Sequence, residues 1–247
     1  MAVTSLTAGC KLENGWAVAA SQSSGEDGES GTDSPDGIWA GTLTLEGTSA
    51  GSEATAVLWN GELLVVSAEA DAAYASSVAR TGDDEEDSVE AEGEVRAYNA
   101  DGEPLDSGTV SASVVPEEEL TASVSGTSRN GDLALESAEA FENDTTLEDL
   151  ADTWSVERDG RTLTLSVTRL GSVDGSRSDG CNYGGDLEAV SGAPNLFRLT
   201  LAVDLCDAED GEYTGFAYLD SATTPDTLRL LAERDEDRFL GRALSRN

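Results

Sequence analysis

Short runs of alternating apolar and polar residues, separated by Asn-Gly and Asp-Gly pairs, recur through most of this 247-residue chain. The pair Asn60-Gly61 divides the run 53–70 into two predicted strands, and Asp159-Gly160 divides a later run in the same way. These dipeptides favour tight β-hairpins because they accept the positive φ angles that such turns require. No long amphipathic helix interrupts the runs, so we expect each strand to pair antiparallel with its neighbours in sequence.

The runs fall into two sets, which predicts an all-β chain of two domains. The first set, residues 37–143, predicts seven or eight strands, with further turns at Asp101-Gly102 and Asn130-Gly131. The second set, residues 144–247, opens with a helical stretch, 144–154, that is predicted to join the two domains. We therefore expect two small antiparallel β-barrel or sandwich domains in tandem, with meander connectivity and a short helical joint.

Side-chain alternation predicts which face of a strand is inward. Trp39, Leu43 and Leu45 share one face of the first predicted strand, 37–47. The stretch from Asn195 to Cys206 predicts a strand with an apolar inward face. The residues on that face are Phe197, Leu199, Leu201, Val203 and Leu205. The joining helix is predicted to start at Asp144 or Thr145, because either side chain can cap a helix.

The chain is strongly acidic. It has 50 acidic and 14 basic residues and a formal net charge of −36, and its one lysine is Lys11. Nucleic acid and anionic membranes are excluded as direct partners, because binding them relies on basic side chains. An acidic, lysine-poor surface is typical of salt adaptation, since salt screens the repulsion; the alternative is an acidic exported protein. Ten of the 14 basic residues follow residue 150, which indicates two domains with different surfaces.

The absence of histidine limits the chemistry. Ser-His-Asp and Cys-His catalysis and His-based zinc sites cannot be built from this chain. Carboxylates remain, but with 50 of them no pair is singled out, so we expect a non-enzymatic protein without a cofactor. The weak candidates for a Ca²⁺ site are Asp207, Glu209 and Asp210, whose spacing before Gly211 departs from an EF-hand loop.

Three cysteines are an odd set. Cys181 and Cys206 each stand at the edge of a predicted strand, and they predict a cross-strand disulfide in an oxidising compartment. The alternative is a pair of free thiols in a cytosolic protein. Either way, Cys10 is left without a partner.

The segment around Cys10 resembles the lipobox of bacterial lipoproteins, in which the cysteine carries the lipid. Small residues precede it in "LTAGC", although Leu6 stands one position earlier than in that family, and residues 1–9 are short for a signal peptide. We interpret 1–9 as the remnant of a longer signal and 10–36 as a lipid-anchor cysteine with an acidic tether. The alternatives are a cleavage site within 16–21 and a tail with an incidental cysteine.

Taken together, the chain resembles a group of uncharacterised bacterial envelope lipoproteins. The resemblance rests on the lipobox-like cysteine, the acidic tether, the opening "GIWAG" and the later stretches "GCNYGG" and "GEYTGFAYL". It implies export, anchoring in the outer membrane with a periplasmic or surface location, contact with the membrane through the lipid alone, and a monomer. It implies no activity.

Three functions follow as hypotheses. The favoured one is a binding or structural module of the envelope. The first alternative is a lipocalin-like carrier, because a barrel of about eight strands can hold one small apolar ligand. The second is a carboxylate-dependent glycan hydrolase, which needs two carboxyl groups about 5–9.5 Å apart.

Overall fold

The computed structural model describes residues 34–81, 88–127 and 129–247. Within these residues, sixteen strands form two closed antiparallel barrels of eight strands each, and consecutive strands are hydrogen-bonded neighbours. The strands of the first barrel are β1 Gly37–Leu45, β2 Ser52–Trp59, β3 Glu62–Ser67, β4 Ala72–Thr81, β5 Val89–Tyr98, β6 Pro104–Val115, β7 Glu119–Gly126 and β8 Asn130–Ser137. The strands of the second barrel are β9 Thr153–Arg158, β10 Arg161–Val167, β11 Ser172–Arg177, β12 Asn182–Ala189, β13 Phe197–Asp204, β14 Gly211–Asp220, β15 Thr227–Arg234 and β16 Arg238–Arg246.

The prediction of two tandem all-β domains with meander order is confirmed, and both domains are barrels. The joint contains the short 3-10 helix Glu139–Glu142 and the single-turn helix α1, Leu147–Leu150. The predicted cap was wrong: Thr146 is the N-cap, and its backbone N–H donates to the Asp149 carboxylate at 2.8 Å. Thr146 and Asp149 form a capping box, in which each side chain accepts a hydrogen bond from the other's backbone N–H at the N-terminus of the helix.

Two of the predicted turns have the expected backbone. Asn60 and Gly61 have φ angles of 51° and 78°, and Asp159-Gly160 is likewise left-handed at both residues. The turn predicted at Asn130-Gly131 was wrong, because both residues lie in β8 and the turn precedes them. The Asn130 side chain accepts a hydrogen bond from the backbone N–H of Gly126 at 3.0 Å, so this asparagine fastens the turn from its far end.

The inward side chains of each barrel form one contiguous apolar cluster. Trp39 and Trp154 stand near the start of each barrel's first strand and are almost completely buried. The predicted inward face of β13 is confirmed from Phe197 to Val203, whereas Leu205 lies beyond the strand and is 71% exposed. An eight-stranded barrel is narrow enough for side chains to fill it, and both interiors here are packed cores.

A third apolar cluster joins the two barrels. It consists of outward-facing side chains from both, so several strands are buried on both faces. Its fully buried members are Ile38, Val57, Leu64, Ala73, Ala75, Tyr98, Leu196, Phe216, Tyr218, Leu231 and Phe239. Because these side chains leave water only when the barrels meet, the cluster holds the barrels together as one body.

A polar network borders this third cluster. The guanidinium of Arg96 in the first barrel donates two hydrogen bonds, at 2.7 and 2.8 Å, to the carboxylate of Glu233 in the second. The hydroxyl of Tyr98 donates to the same carboxylate. A bidentate Arg–carboxylate pair fixes orientation as well as distance, so it sets the register of one barrel against the other.

Candidate functional site

One end of the second barrel carries six of the thirteen arginines of the sequence. At this end lie the turns that follow β9, β11, β13 and β15, and the arginines occupy positions in register with inward-facing residues of their strands. We call it the arginine end and define it by Arg158, Arg161, Arg177, Arg234, Arg238 and Arg242. A protein with a net charge of −36 thus gathers nearly half of its arginines at one opening.

Four of these arginines form ion pairs with nearby carboxylates, Arg158 and Arg161 at 3.1 and 3.6 Å, and Arg177 and Arg234 at closer range. Arg177 contacts Asp179 at 2.9 Å and Glu209 at 2.8 Å. The guanidinium of Arg234 contacts the Asp237 carboxylate at 2.8 Å and lies over the ring of Tyr213. Together these side chains form the polar rim of the opening.

Arg238 is less well satisfied. Its side chain is 9% exposed, and one guanidinium nitrogen lies 3.5 Å from the Glu103 carboxylate of the first barrel. The other terminal nitrogen, Nη1, is buried and has no hydrogen-bond acceptor among the described residues. A buried donor without a partner costs about 1–3 kcal/mol, more when it is charged.

Arg242 is the arginine that points into the barrel itself. It pairs with Leu230 of β15 and lies between the buried Leu240 and Leu244, so its side chain is on the inner face. Its one hydrogen bond among the described residues goes to the adjacent carbonyl of Gly241, at 2.8 Å, and no described carboxylate forms an ion pair with it. Burial lowers the pKa of this guanidinium, since removal from water disfavours the charged form.

The charges around Arg242 are mixed. Glu209 and the hydroxyl of Tyr183 favour its charged form, whereas Arg158 and Arg177 oppose it and add to the burial that lowers its pKa. The Glu209 carboxylate is already paired with Arg177. Arg242 is therefore a partly exposed cation on the inner face, and the Glu209 carboxylate that favours its charge is shared with Arg177.

The barrel wall is incomplete beside Arg242. The ladder that closes the barrel between β9 and β16 contains two pairs, Ser155 with Ser245 and Trp154 with Arg246. Continued toward the arginine end, the same register would place Arg158 directly opposite Arg242. Like charges at directly opposed positions of a ladder are destabilising, which gives a physical reason for the two strands to part here.

A turn from the first barrel covers this opening. The carbonyl of Ala100 accepts a hydrogen bond from Arg158 at 2.7 Å, and the Asp101 carboxylate contacts the same guanidinium at 3.1 Å. The carbonyl of Gly102 accepts from the backbone N–H of Phe239 at 3.0 Å. The turn therefore contacts the ends of both β9 and β16. It supplies the hydrogen-bond acceptor for the Phe239 N–H that β9 does not supply.

Two tyrosines line the inside of the arginine end. Tyr183 and Tyr213 are both buried, and the Tyr213 hydroxyl donates to the carbonyl of Glu209 at 3.0 Å. Burial raises the pKa of Tyr213 to about 12 and raises that of Tyr183 as well. Both phenols stay protonated at neutral pH, so the hydroxyl of Tyr183 keeps a proton that it can donate in a hydrogen bond.

The predicted disulfide is confirmed and lies at the same end of the barrel. Cys181 and Cys206 are bonded, with their Cα atoms 4.9 Å apart. Cys181 precedes β12, and its sulfur accepts a hydrogen bond from Arg177 at 2.9 Å. The bond ties two adjacent turns of the arginine end to each other.

The Ca²⁺ candidates do not converge. Asp207 and Glu209 belong to a short 3-10 helix, where the Glu209 carboxylate serves Arg177. An Asp210 carboxylate oxygen accepts from the backbone N–H of Cys206. The described part of the chain contains no group of three or more acidic or cysteine side chains placed to hold a metal ion.

The predicted lipidation site, Cys10, and most of the predicted tether lie outside the described residues. The described part begins at Ser34, where Pro35 is buried and the Asp36 carboxylate accepts a hydrogen bond from the backbone N–H of Asn60 at 2.8 Å. Contact with the first barrel therefore starts within the last residues of the segment 10–36.

The arginine end was not predicted from the sequence. Its signals were the surplus of basic residues after residue 150 and the position of arginines next to turns, as in "VERDGR" and "AERDEDR". Charges beside turns usually face solvent, and only the register of the closed barrel turns these positions inward.

No family model matches the chain, and neither the curated proteins nor the solved structures compared with it yield a match. In the described residues, helices are too short and too polar to cross a lipid bilayer. Proposals on function therefore rest on the geometry above.

We expect the Cys181–Cys206 bond to contribute strongly to stability. For a sequence separation of 25 residues, the chain-entropy account gives about 3.5 kcal/mol, or roughly 10 °C in Tm for a chain of this size. Calorimetry of the Cys181→Ser, Cys206→Ser double variant measures the loss, with Cys10→Ser as the control for cysteine-to-serine exchange. A double variant as stable as the control would contradict a structural role for this bond.

Proposed function

We propose that this chain is a non-enzymatic, exported, lipid-anchored protein of the bacterial cell envelope that acts as a binding or structural module with a salt-adapted surface. The observation that carries the proposal is the docking of two packed barrels through a third apolar core. A module that presents a surface or spaces other components needs a rigid body, and this interface supplies one.

The Cys181–Cys206 bond supports the exported location. Structural disulfides persist in oxidising compartments and are rare in the reducing cytosol. The odd third cysteine, Cys10, precedes a polar acidic stretch that suits a tether between a membrane anchor and a folded body. Anchoring through acyl chains on Cys10 requires no spanning segment.

No specific observation favours the two alternatives. A carrier of an apolar ligand needs space in a barrel, whereas the inward side chains here form contiguous buried clusters. A glycan hydrolase needs two facing carboxylates. The groove between the barrels, about 290 Å³, has one carboxylate in its lining, Glu62, which is paired with Arg198 at 2.6 Å. Two grooves on the barrel walls each have two, Glu46 with Asp132 and Asp174 with Asp204, but all four side chains are exposed.

The test is the mass of the protein isolated from its native host, before and after reduction. We expect an N-terminal Cys10 that carries acyl chains, and two further cysteines that gain two protons together on reduction. A chain that starts at Met1 with three free thiols would overturn both the export and the anchor.

Cys10→Ser provides the matched experiment in cells. The variant is expected to leave the membrane fraction and to keep the Cys181–Cys206 bond, because the anchor and the disulfide are chemically independent. Retention of the variant in the membrane fraction would contradict lipidation at Cys10.

A further inference from the structure

The inference concerns Arg242 and does not depend on where the protein resides. Arg242 points into the second barrel among leucines, and its one hydrogen bond among the described residues is to its own neighbour's carbonyl. Its side chain is partly exposed at the opening, so the guanidinium can be reached by a ligand from solvent, and no described carboxylate neutralises it. A sequence with 50 acidic residues places none of the described ones in contact with this guanidinium.

The surroundings of Arg242 favour an incoming anion. The charges of Arg158 and Arg177 both act on it, and Arg158 would face it across the unpaired part of the β9–β16 seam. The buried Nη1 of Arg238 is a further donor at the same end without an acceptor among the described residues. An anion would relieve the repulsion and satisfy donors that the protein leaves open.

We propose that the arginine end binds an oxyanion group, carboxylate or phosphate in type, on the guanidinium of Arg242. A guanidinium offers parallel N–H donors that match two oxygens of one group, which favours an oxyanion over a halide. Tyr183 belongs to the interior cluster of the same barrel, and its protonated hydroxyl has no hydrogen-bond acceptor among the described residues, so it is a further donor available to the anion. The site is formed by inward side chains of a packed barrel, so it takes a single anionic group and not a bulky ligand.

Thermal unfolding of the full chain tests the proposal. Sodium phosphate and sodium acetate are added in turn, up to 50 mM, to protein in 1 M NaCl, where general screening is already saturated. For a millimolar Kd, the oxyanion that fits is expected to raise Tm by roughly 5 °C. The anion that produces the shift identifies the chemical class. No shift with either anion would overturn the proposal.

Two variants separate the site from a general salt effect. Arg242→Leu removes the guanidinium and is expected to fold and to lose the entire shift. Arg169→Leu makes the same change in charge at a side chain that is 77% exposed and is expected to keep the shift. Equal shifts in all three proteins would overturn the proposal.

A crystal soaked in sodium selenate gives a second measurement that needs no variant. Anomalous scattering locates selenium directly, and a peak within hydrogen-bonding reach of the Arg242 guanidinium is expected. A crystal that diffracts with no peak at the arginine end would overturn the binding of a tetrahedral, phosphate-type anion. If acetate also left Tm unchanged, the binding of a carboxylate would be overturned as well.

Discussion

Above about pH 10 the protein is expected to unfold in one steep step, because every tyrosine in the chain is buried with a raised pKa. All five have side chains that are at most 3% exposed, and burial is the largest cause of each shift. They are Tyr74, Tyr98, Tyr183, Tyr213 and Tyr218. The unfolded chain releases these protons near pH 10, whereas the folded chain holds them to higher pH.

The direction of the effect follows from proton linkage. A group whose pKa is raised on folding gives its full stabilisation below the unfolded pKa, and that stabilisation is lost as the pH rises toward the folded pKa. Each tyrosine lowers the free energy of unfolding by up to about 1.4 kcal/mol per pH unit until the pH reaches its folded pKa, so the five together make the loss steep. A typical stability of about 5–15 kcal/mol is therefore expected to be exhausted above about pH 11.

Absorbance at 295 nm, which reports tyrosinate, measures this together with circular dichroism. The two signals are expected to change at the same pH, since the tyrosines ionise only when the fold opens. Tyr74→Phe is the matched variant, because the Tyr74 hydroxyl is buried without a partner among the described residues, so its removal leaves the native contacts intact. In this variant the free energy of unfolding should fall less steeply with pH, by the contribution of about one proton. A gradual rise in tyrosinate while the fold persists would contradict the prediction.

Most of the strands were predictable because period-two patterning and turn dipeptides act locally. Asn60-Gly61 fixes its hairpin through the φ angles of two adjacent residues, whatever lies elsewhere in the chain. Asn130-Gly131 has the same sequence signal but lies inside β8, because eight strands must close and β8 also pairs with β1. Barrel closure is a long-range requirement, and it overrides the local preference of the dipeptide.

The interface between the barrels was not predicted, although the sequence contains a signal for it. The alternation of side chains along β1 predicts one buried face, which contains Trp39. Ile38 lies on the opposite face, yet both residues are buried. Uninterrupted apolar runs such as "AVLW" and "GFAYL" indicate strands buried on both faces. What the sequence cannot supply is which strands meet, because the pairing of two outer surfaces depends on barrel geometry and not on neighbours along the chain.

The disulfide was predictable and the arginine end was not, for a related reason. Only two cysteines, Cys181 and Cys206, follow residue 36, so within that part of the chain each has one possible partner and composition determines the pair. Arg242 follows Gly241 in a stretch, "FLGRALSR", where an arginine in a short strand normally faces water. The register with Leu230 turns it inward, and that register becomes known only once the barrel closes.

Replacing Gly102 with valine is expected to weaken the docking of the two barrels. A Cβ atom at Gly102 would lie 1.8 Å from the backbone carbonyl oxygen of Phe239, and φ at Gly102 is +80°, which a β-branched residue avoids. The turn would have to lift away, which removes the acceptor of the Phe239 N–H and both contacts to Arg158. The left-handed backbone and the unsatisfied Phe239 N–H together give a loss of about 2–5 kcal/mol.

Gly47→Val is the control that separates two contributions to the stability loss, the backbone strain of a positive φ and the loss of contacts between the turn and the second barrel. Gly47 has nearly the same φ, +85°, but a Cβ atom there would meet nothing within 4 Å, so this variant is expected to lose only about 1–2 kcal/mol. Calorimetry should show one transition for the natural protein and for Gly47→Val, and two for Gly102→Val as each barrel melts separately. A single transition with a stability loss no greater than that of Gly47→Val would contradict the prediction. It would mean that the apolar core between the barrels holds them together without this turn. The contacts of the turn with the ends of β9 and β16 would then be a consequence of docking and not a cause of it.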